Sequence, residues 1–196
     1  MTIATHVAIS FGLGGSAVDD AISGGYGENY LVRRCRALPN ADVMNSPYEW
    51  SDAQKIYDDI MRHPPTDRFA LVGDSLGDNE LGDILAALKG RRTVDLIGGF
   101  QGSEWGKHTT IPDNCRKAIL IFNPIWFETM GLGAYPLPLD VPPVVPPGQN
   151  LYDGRWRIGN NGKTQVRYVQ IEAPHPDDWG EAQDIVFAEI RRLAAS

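Results

Sequence analysis

Apolar runs of strand length alternate with amphipathic stretches of helical spacing along most of this chain, and few folds accommodate that rhythm. Val7-Ala8-Ile9-Ser10-Phe11 is the first run. Tyr30-Leu31, Cys35 and Leu38 then recur at helical spacing, and Asp42-Val43-Met44 reads as a short strand. Ser51 and Gln54 have the spacing of a capping box ahead of Ala53, Ile56, Tyr57, Ile60 and Met61, with Pro64-Pro65 as the stop. Phe69-Ala70-Leu71-Val72 follows, then Leu81, Ile84, Leu85 and Leu88 on one helical face with Gly90 at its end. Thr93–Ile97, Ala118–Phe122 and Val166–Ile171 are the remaining strands. A last helix starts near Asp178, with Glu181 as capping partner, and carries Ala182, Ile185, Val186 and Leu193. Apolar strands separated by helices pair in parallel and bury both faces. The expectation is an α/β fold, a doubly wound and mostly parallel sheet of about six strands with helices on both faces. It forms one domain over residues 1–196.

Residues 124–164 break the rhythm. Tyr135-Pro136-Leu137-Pro138 continues through Pro142-Pro143 and Pro146-Pro147, a run that makes neither helix nor central strand. It reads as an insertion over the top of the sheet before the last strand, with Gly159-Asn160-Asn161-Gly162 as a turn near its end. Hydrophobic content of 42% suits one packed core. The net charge of −7 is spread out with no Lys/Arg cluster, which argues against nucleic acid. No apolar run is long enough to span a membrane. Met1–His6 lacks the features of a signal peptide, so the expected location is the cytoplasm, with Cys35 and Cys115 as buried reduced thiols.

The chemistry concentrates after the strand at 69–72. Gly73-Asp74-Ser75-Leu76-Gly77 joins a strand to a helix, the sequence form of a nucleophile elbow, in which a tight turn lifts a serine hydroxyl above the sheet edge. Glycines on either side let strand and helix close around it. A serine needs a base. His175, in Glu172-Ala173-Pro174-His175-Pro176, follows the last strand at the same carboxyl edge, where it is expected to reach Ser75 across adjacent strand ends. His6, inside the first strand, and His63, at a helix end, read as structural. The glycine-rich turn Phe11-Gly12-Leu13-Gly14-Gly15 supplies the other expected element: backbone amides of Leu13 and Leu76 as an oxyanion hole. Asp74 and Asp78 make the surroundings of the serine acidic, which disfavours acidic substrates and raises the histidine pKa. Trp105, Trp126 and Trp179 fall in loops at this edge and would favour an apolar acyl or aromatic group.

These motifs resemble the α/β-hydrolase superfamily, and within it the small lidless bacterial lipases and cutinase-like serine esterases. The resemblance rests on the strand leading to Gly12-Leu13-Gly14-Gly15, the elbow around Ser75, Leu96-Ile97-Gly98-Gly99, and Val169-Gln170-Ile171 ahead of His175. It implies a carboxylic ester hydrolase with a Ser-His-acid triad, no metal and no organic cofactor, acting on a small-molecule or lipid-like ester. For the acid, Asp153 is taken first, by its 22-residue spacing to His175 and its Asp-Gly turn. Glu128 is the alternative by position after the strand ending at Phe122, and Asp140 comes third. Gly73-Asp74-Ser75-Leu76 also spells the GDSL of the SGNH esterases, although that family places its serine after the first strand. A third possibility is a non-catalytic binding or assembly protein on a hydrolase scaffold. The oligomeric state is left open.

Overall fold

The structure, a computed structural model, describes residues 3–12, 28–74, 76–100, 111–122, 161–170 and 179–196. In chain order the elements are β1 (Thr5–Ser10), α1 (Glu28–Arg36), β2 (Ala41–Val43), α2 (Ala53–Arg62), β3 (Arg68–Asp74), α3 (Leu76–Leu88), β4 (Leu96–Phe100), β5 (Lys117–Phe122), β6 (Gln165–Gln170) and α4 (Trp179–Ala195). The six strands form one sheet in the order β2-β1-β3-β4-β5-β6. Every pairing is parallel, including Ser10 opposite Gly73 and Asp74 opposite Phe100. The expected α/β sheet is present, and among the described residues no strand runs against the others. Strand order reverses between β1 and β3, the topological switch point at which such sheets bind ligands.

Alternation along each strand divides the core in two. Ala8, Phe69, Leu71, Ile97, Ala118 and Leu120 face α2 and α3, where Ile56, Ile60, Leu81, Ile84, Leu85 and Leu88 meet them. Val7, Ile9, Ala70, Val72, Ile119 and Ile121 face α1 and α4, packing on Leu31, Val32, Cys35, Ala182, Val186 and Ile190. Helices cover both faces, which is why the strands read as continuous apolar runs. Cys35 and Cys115 are buried free thiols. Burial pushes Cys35 up to about 12 and Cys115 higher still. Among the described residues no helix is long and apolar enough to cross a membrane.

Three local expectations change. The fourth strand spans Leu96–Phe100 where Thr93–Ile97 was expected, with Val94 making only an isolated bridge to Cys115. Its two glycines are part of the strand because neighbouring groups occupy the space their side chains would need. A Cβ on Gly98 would lie 2.8 Å from Val186 Cγ1 of α4, and one on Gly99 would collide with the Asp78 carboxylate. No capping box starts α2. Its N-cap is Asp52, without a side-chain cap, because the Asp52 carboxylate accepts the Glu49 amide at 3.1 Å. Gln54 instead donates to Asp58 at 2.8 Å. Trp179 is the first residue of α4, where a loop position was expected. Residues 124–160 of the proline-rich segment lie outside the described residues. At its end Asn161 Oδ1 accepts the amides of Lys163 and Thr164, so the turn forms there, with Gly162 at φ 79°.

Candidate active site

In an all-parallel sheet every strand ends at one edge, so the segments after β1, β3, β4, β5 and β6 all leave from the same side. β3 ends at Asp74 and α3 begins at Leu76, so one residue, Ser75, separates them in the chain. Ser75, His175, Asp153, Glu128, Asp140 and Leu13 lie outside the described residues, as do Trp105 and Trp126. Leu76 is described as the opening residue of α3, and the first amides of a helix have no partner within it.

Steric need explains Gly73 and Gly77. A Cβ on Gly73 would lie 2.5 Å from Gly77 O and 2.6 Å from Asp78 N, so β3 and the first turn of α3 touch there through bare backbone. A Cβ on Gly77 would lie 2.6 Å from Phe11 O and 2.7 Å from Ser10 O. The start of α3 is thus seated on the carboxyl end of β1, the strand leading to the Gly12-Leu13 turn. Tyr48 holds that end of β1 from the other side. It donates its amide to Ile9 O at 2.8 Å and accepts Phe11 N–H at 2.9 Å. Its hydroxyl donates to the buried Asp59 at 2.7 Å. Burial works to raise Asp59, yet Asn45, Tyr48 and the Arg62 charge outweigh it and hold the carboxyl below its usual range.

The edge is acidic, as expected. Asp74 and Asp78 are both buried. Asp78 occupies the first turn of α3, where the helix dipole favours a carboxylate, and fills the space over Gly99. The sequence reading missed Glu80. Its carboxylate lies 3.5 Å from Ser10 Oγ, a long contact, and the Ala53 amide near it favours the charged form. Burial, reinforced by the Asp52 and Asp83 charges, pushes Glu80 up to about 8. The signal was present in the spacing: Glu80 falls four residues before Ile84, on the stripe that packs against the sheet.

The described strands revise the route expected for His175. β6 is separated from β3 by β4 and β5, so the two strand ends are not adjacent. Three inter-strand steps span about 14 Å. Residue 175 is five positions past the end of β6, and five extended residues reach about 17 Å. A segment of that length is long enough for the distance. β1, by contrast, is directly beside β3. Comparison with known proteins finds no match to a protein family and none to a curated protein.

Proposed function

We propose that the protein is a serine hydrolase of the α/β-hydrolase type that cleaves a carboxylic ester. The observation that carries this reading is that neither glycine of the Gly73–Gly77 turn has room for a Cβ, as an elbow requires. Strand order adds support. Ser75 follows the third strand in the chain, at the switch point, which favours this fold over an SGNH esterase.

In the proposed reaction Ser75 Oγ attacks the ester carbonyl while His175 takes its proton. Asp153, or Glu128 in its place, orients the imidazole. The Leu13 and Leu76 amides hold the oxyanion, and the proton returns to the departing alkoxide. Water then attacks the acyl-enzyme by the same route in reverse. No metal or organic cofactor enters these steps. Buried carboxylates at Asp74 and Asp78 would select against acidic esters.

Intact-mass analysis after fluorophosphonate treatment tests the proposal. Wild type should gain one adduct, and Ser75→Ala none. His175→Ala should label far more slowly and lose turnover about as fully as the serine variant, because triad members act as a unit. An unlabelled wild type, under conditions that label a control esterase, would refute the assignment. The same buried carboxylates would then favour a non-catalytic binding protein on this scaffold.

A further inference from the structure

At the opposite, amino edge of the sheet two histidines and two aspartates converge. His6 is buried within β1. Its Nδ1 lies 3.0 Å from Asp42 Oδ2 of β2, and its Nε2 lies 2.9 Å from Asp67 Oδ2, just ahead of β3. The His63 ring, at the end of α2, stacks on His6 with centroids 3.7 Å apart. Donor atoms of His6, His63 and Asp67 all fall within 4.8 Å of one another. We propose that His6, His63 and Asp67 bind a divalent transition-metal cation of the zinc class, with Asp42 holding the His6 ring in place.

Four observations support the site. Two imidazole nitrogens and one carboxylate are a donor set that such ions accept, with further positions left for water. Cis ligands at bond lengths near 2.0–2.1 Å lie about 2.9–3.3 Å apart, so the His6–Asp67 pair already has the spacing of two ligands on one ion. Asp42 completes the pattern: a ligating histidine usually donates its other ring N–H to a carboxylate, which fixes the tautomer and aims the free nitrogen. His63 must turn its ring out of the stack to present a lone pair, and it is partly exposed at a helix end. Asp67 is itself partly exposed and also lines a surface groove of about 900 Å³ with Arg68 and Arg92. A bound ion would join β1 to the α2–β3 connection at the edge away from the elbow. The proposal is therefore independent of the serine chemistry.

The test is titration of the chelator-treated full chain with Zn²⁺ by calorimetry, and with Co²⁺ by visible absorption. Wild type should bind one equivalent, show the absorption of nitrogen-and-oxygen-ligated Co²⁺, and melt at a higher temperature with metal present. His63→Gln and Asp67→Asn should each weaken binding at least tenfold, and Asp42→Asn about tenfold. All three positions are more exposed than His6, whose replacement risks the fold. Absence of one-to-one binding in wild type would overturn the proposal and leave His6 as a residue hydrogen-bonded to Asp42 and Asp67. Undiminished binding in both His63→Gln and Asp67→Asn would overturn it as well, by placing the ion elsewhere. Fluorophosphonate labelling should be unchanged in each variant.

Discussion

Gly73→Ala puts the packing of the elbow to a direct test. The added methyl carbon would sit 2.5 Å from Gly77 O, 2.6 Å from Gly77 C and 2.6 Å from Asp78 N. Carbon makes favourable contacts at about 3.5–4.0 Å, so relief needs a displacement of roughly 1 Å. No side chain can rotate away, because all three atoms are backbone. β3 cannot slide either, being paired with β1 on one side and β4 on the other. Overpacking typically costs about 1–3 kcal/mol, and three rigid contacts place this variant at about 3 kcal/mol. Urea unfolding followed by tryptophan fluorescence should show it. With an m-value of about 2 kcal/mol/M the midpoint should fall by roughly 1.5 M, with the slope unchanged. Gly180→Ala is the control, since a Cβ there meets nothing within 4 Å, and it should stay within about 0.5 kcal/mol of wild type. A Gly73→Ala protein as stable as wild type would mean that strand and helix are not in backbone contact. The elbow argument would then lose its footing.

Gly98→Ala should destabilise by about 1–3 kcal/mol through its clash with Val186. Adding Val186→Ala should recover at least half of that loss, and strict additivity in the double-mutant cycle would refute the contact. Glu80→Gln tests the half-buried carboxyl, whose pKa in the fold, about 8, stands above its ordinary 4.5. The folded state therefore holds the proton more tightly than the unfolded one, and this contribution is complete below pH 4.5 and lost as pH rises through 8. The variant should gain on wild type with rising pH, by about 1–2 kcal/mol at pH 9 after allowance for the exposed half of the group. A difference in melting temperature that does not vary with pH would show that Glu80 titrates normally.

The fold was legible because period and burial agree. Val7, Ile9, Ala70 and Val72 face one layer while Ala8, Phe69 and Leu71 face the other, and a sheet covered twice leaves few polar positions to blur the pattern. Misreadings came where a local residue answers to a distant one. Gly98 and Gly99 looked like the end of a strand because the groups that fill their space, Val186 and Asp78, lie far away in sequence. Ser51 and Gln54 matched a capping pattern, yet Gln54 donates to Asp58 and the N-cap Asp52 accepts the Glu49 amide. At the candidate site the strand–turn–helix around position 75 was readable, since it is local chemistry. Strand order was not, and it separates β6 from β3 by two strands, changing what the His175 segment must do. His6 read as structural, and its setting was not legible either. Its partners Asp42 and Asp67 come from two other segments, and only the parallel register sets His6 opposite Asp42.

α4 bears on how the molecule comes into being. It packs on β4 through the gap left by Gly98, and with α1 it covers the face formed by Val7, Ile9, Ala70, Val72, Ile119 and Ile121. Yet α4 follows all six described strands in the chain. During synthesis the described strands therefore leave the ribosome before the helix that completes the cover of one face. Until α4 arrives, Gly98 is a notch in an open, sticky plane, and nascent chains exposing such planes associate with one another or with chaperones. The vulnerable interval closes when Val186 enters that notch.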